Sequence, residues 1–440
     1  MSAKIQDSKW YRRTFRAPRL PGAIDAVTRV DPAEVAPAEV GLSQRAVKSI
    51  WREVESLYRS GMHPGITVCL RRRGRIALHR SLGYAGGLLP HEGPGPVVLG
   101  LDTPICLFSA AKSITGVVAH KLAEEGHIDL LDPVSYYLPD YAQRGKGNIS
   151  IYQLLCHRGG VPRIEEPIAV DTMLDHDEML RLICASEPSC TEGRITEYHA
   201  VTSGYVIAEL VRVTTGKTIR QYLDEKIRQP LGMRFFNYGL EPEDLGLAAT
   251  NYVTGSSNVK RINDRLQAVL GAPIEVVVEG SNDERFKRAV IPSANLYATA
   301  EEVTRFYQMM IDNGRWQGQQ VLDPRTVYRA TKEAGKTLLD RGVFLPMRYS
   351  AGFMLGGRPV GAYGINSHYA FGHLGLSNIF TWGDPQRDIA VAILTTGKPI
   401  LGPHLLTLPK LVQAIAGACE PVRDMGAEIA SARRFARTAR

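Results

Sequence analysis

The sequence predicts a mixed α/β fold in which strands from both ends of the chain form one sheet and a mostly helical stretch lies between them. Three observations predict it. Strand-like runs occur at 65–79 and return only in the last third, helical patterns dominate from about 105 to 230, and an apolar-faced helix lies near each end of the strand-bearing segments, at 42–58 and 405–416. With 440 residues the chain can bury a sizeable core in one large domain or two lobes.

Residues 1–40 are rich in Pro and Arg, lack sustained periodicity and read as an extension. From 42 to 58, Val47, Ile50, Trp51, Val54 and Leu57 recur at helical spacing. The run 65–79 reads as two strands joined at Arg73-Gly74. A Gly/Pro loop from 83 to 104 then leads to a helix carrying Ile114, Val117, Val118 and Leu122 on an apolar face, with Gly126 as its stop signal. Further helices are expected near 261–270, 300–313 and 324–333. Strands return at 350–356, 377–382 and 389–396, and the helix at 405–416 closes the core. No internal repeat is present.

The net charge of +8 at first suggests nucleic acid, but residues 1–20 carry +5 and residues 421–440 carry +3, so the remaining 400 balance. The basic ends read as solvated tails, and no Lys/Arg stripe with interleaved aromatics lies between them. No nucleic-acid partner is expected. Cys69, Cys106, Cys156, Cys184, Cys190 and Cys419 form no CxxC pair and sit mostly in apolar surroundings, as thiols do in a reducing compartment, with a Cys184–Cys190 disulfide as the lesser reading. The N-terminal residues contain no signal-like apolar run, and no 18-residue apolar segment occurs, so a cytoplasmic protein without a membrane anchor is expected. The 11 histidines show no zinc-ligand spacing, no GxSxG elbow occurs, and the Gly-rich stretch 83–95 lacks a phosphate-loop ending. Neither a metal nor another cofactor is expected, and His120, His127 and His157 read as helix-end or core residues.

Phe108-Ser109-Ala110-Ala111-Lys112-Ser113 holds the chemistry. A serine three positions before a lysine shares its helix face, so the amine of Lys112 can reach the hydroxyl of Ser109 and take its proton. Ser109 stands where that helix begins, and free N–H groups there favour a developing anion. Spacing alone favours a plainer reading, an N-cap serine with a solvent lysine one turn on. Ser257 with Lys260 matches the same pattern, but in a turn-like run, Thr254-Gly255-Ser256-Ser257-Asn258, that enters no core helix.

Landmarks in order along the chain decide between these readings: Asp132-Pro133-Val134, Tyr137-Leu138-Pro139, Leu154-Leu155-Cys156-His157-Arg158-Gly159-Gly160-Val161-Pro162, Gln229-Pro230-Leu231-Gly232-Met233 and Asn313-Gly314-Arg315. With Ser109-x-x-Lys112 they make residues 41–420 resemble the serine β-lactamase and penicillin-binding-protein superfamily, nearest the class C β-lactamases and family VIII carboxylesterases. The resemblance implies a β-lactamase-like fold with an antiparallel sheet flanked by terminal helices. It divides the chain into an extension (1–40), a catalytic domain with an α/β lobe (41–104 and 289–420) and a helical lobe (105–288), and a basic tail (421–440).

It also implies further site residues. Tyr198 stands for the tyrosine of a Tyr-x-Asn motif, with Ala200 in place of the asparagine, and a phenol only about 0.1% ionised at pH 7 needs a neighbouring cation such as Lys112 to act as base. Phe371-Gly372-His373-Leu374-Gly375-Leu376-Ser377 matches the strand that normally carries Lys-Thr-Gly, with His373 for the lysine. Gly375 would admit substrate close to the strand, and the N–H groups of Ser109 and Leu376 would form the oxyanion hole. A mostly neutral histidine and a missing amide favour uncharged esters over β-lactams. The expected activity is therefore hydrolysis of short-chain carboxylic esters by Ser109, Lys112 and Tyr198 through an acyl-enzyme, with a small-molecule ester as partner. A β-lactamase, D-aminopeptidase or acyltransferase using the same nucleophile is the alternative among enzymes, and a catalytically silent scaffold or binding protein the alternative outside them.

Overall fold

The structure is a computed structural model that describes residues 14–428 apart from 94, 165–167, 169, 192, 257–259 and 377. Ser257, Ser377 and the outermost parts of both basic ends lie outside the described residues.

The sheet's longer strands and their two neighbours at the edges are β1 (Thr28–Val30), β2 (Gly65–Arg72), β3 (Arg75–Gly86), β4 (Met354–Leu355), β5 (Phe371–Gly375), β6 (Ile379–Asp384) and β7 (Ile389–Thr395). They run in the order β1-β3-β2-β7-β6-β5-β4, every pairing antiparallel, and a two-residue strand, Val97–Val98, lies beside β3. The β2–β3 hairpin turns at Arg73 and Gly74, both at positive φ (+53° and +75°), as a tight two-residue turn demands. Strands from both ends of the chain meet at β2–β7, where Ile66 faces Thr395 and Arg72 faces Ile389. Thr28–Val30, within the segment expected as an extension, pairs with Arg80–Leu82 at the sheet's edge.

The helices that frame the sheet and the site are α1 (Gln44–Arg59), α2 (Ala111–Glu124), α3 (Thr202–Thr215), α4 (Lys260–Leu270), α5 (Ala300–Ile311) and α6 (His404–Ala418). Helix α1 starts at Ser43, whose hydroxyl accepts the Ala46 N–H at 3.0 Å. It buries Val47, Ile50, Val54 and Leu57 with Leu408, Leu411, Val412 and Ile415 of α6 against one face of the sheet. Ile389, Val391 and Ile393 of β7 point into that core, whereas Ala390, Ala392 and Leu394 point into a second, larger core with α2, α3 and α5. Covering on both faces explains why β7 reads as an unbroken apolar run rather than an alternating one. Each such Ile or Val contributes about 1.5–3 kcal/mol by leaving water.

Two expectations change. Helix α2 is not simply amphipathic: from Ala111 to His120 every residue is buried. Its polar side chains bond to distant segments, Ser113 to Tyr307 Oη at 3.0 Å, Thr115 to Tyr238 Oη at 2.7 Å and His120 through Nε2 to the Ala351 carbonyl at 2.9 Å. Of the run 350–356 only Met354–Leu355 joins the sheet. Gly352, at φ +125°, breaks the extended path where it presses on Gly116, and a β-carbon on Gly116 would stand 2.7 Å from the Gly352 Cα.

Candidate active site

A single 3-10 turn, Phe108–Ala110, joins the short strand Ile105–Cys106 to α2. Phe108 holds φ at +47°, a left-handed conformation that costs a residue other than glycine on the order of 1–2 kcal/mol. Ser109 remains partly exposed while the residues on either side of it are buried.

Lys112 Nζ lies 3.3 Å from Ser109 Oγ and donates to the Ser293 carbonyl at 3.0 Å. Burial disfavours its ammonium form and brings its pKa down to about 7. An amine poised there is a competent base at neutral pH. The Lys112 Nζ also sits 5.0 Å from the centroid of the Tyr198 ring.

Tyr198 lies in the irregular segment before α3. Its phenol is held protonated: burial pushes its pKa well up, the Ser109 hydroxyl offsets only part of that, and the Asp340 charge adds to it. Lys112 is the cation expected to lower this pKa. The amine instead faces the ring, and loss of solvent dominates, so the amine is held toward its free form while the phenol stays protonated.

His373 projects from β5 with its ring 6.1 Å from that of Tyr198. Its Nδ1 donates to the Leu374 carbonyl at 2.8 Å, which leaves Nε2 a buried acceptor with no hydrogen-bond partner among the described residues. Burial, followed by the charge of Lys112, brings its pKa down to about 3, so the imidazole is neutral. Among the described residues, the outer side of β5 is paired only at Phe371 and Gly372 by β4, and the edge from His373 to Gly375 carries no strand. A β-carbon on Gly375 would meet the Leu107 carbonyl at 2.3 Å, and glycine is what lets this strand approach the Ser109 turn. Leu376 follows directly, partly exposed. A chain of hydroxyls, Ser113 to Tyr307 to Thr381 to the His373 carbonyl, ties β5 to α2 at 3.0, 3.0 and 3.1 Å.

His157, expected as a core residue, packs its ring 4.8 Å from Tyr198 and accepts the His199 N–H on Nδ1 at 3.2 Å. Burial keeps both imidazoles uncharged, with the pKa of His157 well below its usual value and that of His199 at about 4. Ala200, in the asparagine's place, belongs to an apolar cluster with Tyr198, Tyr349 and Met354, backed by Val201, Val269 of α4, Val343, Met347 and Leu374.

Two groups escaped the sequence reading. Ser293 supplies the carbonyl on Lys112, and Asp340 accepts the Tyr198 N–H at 3.1 Å. Asp340-Arg341-Gly342 between apolar residues signals a turn, but nothing local says what the turn touches. Among the described residues no three His, Cys, Asp or Glu side chains converge as metal ligands, and no helix is long and apolar enough to cross a membrane. No disulfide joins Cys184 to Cys190.

Known proteins share this framework. The protein is 27% identical over 349 residues to the esterase/beta-lactamase LipL of Mycobacterium tuberculosis (strain ATCC 25618 / H37Rv), covering 74% of this chain and 79% of that one. The solved structure of a penicillin-binding protein homolog from Caulobacter crescentus superposes with a TM-score of 0.72 at 24% identity, covering 86% of this chain and 99% of the other. A family VIII carboxylesterase structure also reaches 0.72 at 24% identity, with 84% and 98% covered. At such identity the two structures speak for the fold. The Beta-lactamase family model matches residues 54–412, a span that contains Ser109, Lys112, Tyr198 and His373, and the chain accordingly belongs to the Beta-lactamase family of serine hydrolases.

Proposed function

We propose that the protein hydrolyses short, uncharged carboxylic esters through an acyl-enzyme on Ser109. One observation carries this reading: Lys112, Tyr198, His157 and His373, which surround the nucleophile, are all held toward their uncharged forms. A site so arranged offers no fixed cation to a substrate carboxylate, and the apolar cluster at Ala200 offers no amide to hold a peptide-like group.

Ser109 Oγ attacks the ester carbonyl as its proton passes to Lys112 Nζ, and the N–H groups of Ser109 and Leu376 hold the oxyanion. Collapse expels the alcohol, which takes the phenolic proton of Tyr198, and Tyr198 recovers a proton from Lys112. Water then gives a proton to the free amine of Lys112 and adds to the acyl carbonyl, and as the acid leaves, the Lys112 ammonium returns that proton to Ser109 Oγ, which restores both groups. A positioned base of this kind contributes about 10²–10⁴-fold.

The test is turnover of p-nitrophenyl esters of increasing chain length beside a chromogenic cephalosporin, with fluorophosphonate labelling. Short esters should be turned over far faster than the cephalosporin, and Ser109→Ala should abolish both turnover and labelling, whereas Ser257→Ala should leave both intact. A preference for the cephalosporin, or an adduct mapped by mass spectrometry to another residue, overturns the reading.

A further inference from the structure

We propose that Asp340 is a positioning residue that holds Tyr198 at the angle from which its phenol protonates the departing alcohol. The proposal rests on the acid role given to Tyr198 above. Asp340 is fully buried at the tip of a small hairpin whose strands are Leu338–Leu339 and Pro346–Met347. Its Oδ1 accepts three backbone N–H groups, from Tyr198 at 3.1 Å, Gly342 at 2.8 Å and Val343 at 3.1 Å, and its Oδ2 accepts the Tyr349 hydroxyl at 2.9 Å.

One carboxylate therefore grips Tyr198 by two routes. The direct route is the Tyr198 backbone, which is also pressed by the hairpin: a β-carbon on Gly342 would lie 3.1 Å from both the Tyr198 nitrogen and its Cβ. The second route runs from Oδ2 to Tyr349, whose ring packs edge-on against His157 at 4.9 Å, and His157 in turn packs on the Tyr198 ring. The tip is further tied to the same segment by the Arg341 N–H, which donates to the Thr196 carbonyl at 3.0 Å. A hairpin built only to close the surface has no need to bury a carboxylate among four donors, three of them its own turn and partner ring and the fourth the backbone of the proposed acid. Around Tyr198 stand Ser109 and Lys112 from α2 and its preceding turn, His157, His199 and His373, and the Asp340–Tyr349 pair. Among these, Asp340 is the carboxylate.

A positioning role makes a distinctive demand. A p-nitrophenolate leaves without being protonated, whereas an alkoxide does not, so misplacing the acid harms alkyl esters and spares p-nitrophenyl esters of the same acyl group. The experiment compares kcat/KM for an ethyl and a p-nitrophenyl ester in the full-length protein and in Asp340→Ala, Asp340→Asn and Tyr198→Phe. Displacement of about 1 Å costs on the order of a hundredfold, so Asp340→Ala should lose about 30- to 100-fold on the ethyl ester and less than about threefold on the p-nitrophenyl ester. Asp340→Asn, whose amide oxygen can still accept the three N–H groups, should recover most of the ethyl-ester rate. Equal losses on both esters, or no loss while Tyr198→Phe shows the selective pattern, overturn the proposal. If Tyr198→Phe itself shows no selectivity, the acid role of Tyr198 fails instead. Should Asp340→Ala not fold, the double variant Asp340→Asn, Tyr349→Phe takes its place, with a selective ethyl-ester loss of about 3- to 10-fold expected and an equal loss on both esters decisive against it.

Discussion

Lys398 places its Nζ 5.1 Å from the centroid of the Phe108 ring, so a buried amine backs the left-handed residue that precedes Ser109. That amine also donates to the Thr395 carbonyl at the end of β7, and burial brings its pKa down to about 7. Below about pH 7, where this amine is charged, a cation over an aromatic face is worth about 0.5–2 kcal/mol, comparable with the conformational cost at Phe108. At pH 6, Lys398→Met should therefore let the turn relax and lower kcat/KM about 3- to 30-fold. An unchanged kcat/KM would show that the backbone alone holds Ser109 in place.

The pH dependence of kcat/KM should follow the free amine of Lys112. Activity is expected to rise with pH to a plateau above about 7, falling tenfold per unit below it, because the protonated amine cannot take the proton of Ser109. Lys398 titrates in the same range, so the rising limb should persist in Lys398→Met and vanish from the residual activity of Lys112→Ala. A limb that disappears with Lys398 assigns it to the wrong lysine.

On an alkyl ester, whose leaving alkoxide needs a proton, Lys112→Ala and Tyr198→Phe should each cost at least about 10² in kcat. Base and acid exchange a proton within one cycle, so the double variant should be little worse than the poorer single. Losses that multiply fully would mean that the two side chains work independently.

His373→Lys should move substrate preference. A fixed cation on β5 adds a charged hydrogen bond worth about 1.5–3 kcal/mol to a substrate carboxylate, or roughly ten- to a hundredfold in binding. Gain on a carboxylate-bearing substrate should come with some loss on neutral esters, read as kcat/KM for the cephalosporin and the p-nitrophenyl ester. No gain on the carboxylate would show that the His373 position does not face that part of the substrate.

Stability should climb between pH 7 and about 8.5. Lys112 and Lys398 have folded pKa values of about 7, against about 10.4 for a lysine in the unfolded chain. Across that interval the unfolded chain binds more protons, and a rise in pH favours the folded state. Above about pH 8.5 the buried thiols of Cys69, Cys106 and Cys156, pushed up to about 12, 11 and 12, act in the opposite sense. Lys398→Met should raise the Tm more at pH 6.5 than at pH 8.5. An equal change at both would show that Lys398 titrates normally in the folded protein.

Ser109 and Lys112 are legible in the sequence because their encounter needs only one turn of helix. Tyr198, His373 and Gly375 are legible through an ordered set of landmarks, since no local rule picks one tyrosine from 18. The strands on either side of Arg73-Gly74 and the helices at both ends follow from turn chemistry and periodicity. Ser293 and Asp340 are not legible: they meet Lys112 and Tyr198 across 181 and 142 positions. Likewise an apolar stripe announces α2, while its burial on the remaining sides depends on hydroxyls and carbonyls that arrive from elsewhere, such as Tyr238, Tyr307 and Ala351. The protonation of Tyr198 is hidden for the same reason, since desolvation is a property of the assembled site.

The pairing of β2 with β7 sets a timetable for the newborn chain. Gly65 bonds to Thr396, 331 positions later, and β2 has its partner on that side only once residues 389–395 have been made. At ordinary rates of synthesis that is a wait of roughly 15–65 s. Throughout it the β2–β3 hairpin presents an open apolar edge, a template for wrong partners. Synthesis of β7, rather than emergence of the N-terminal hairpin, is thus what closes the sheet, and shortening the chain before residue 389 would leave that hairpin permanently in its sticky form.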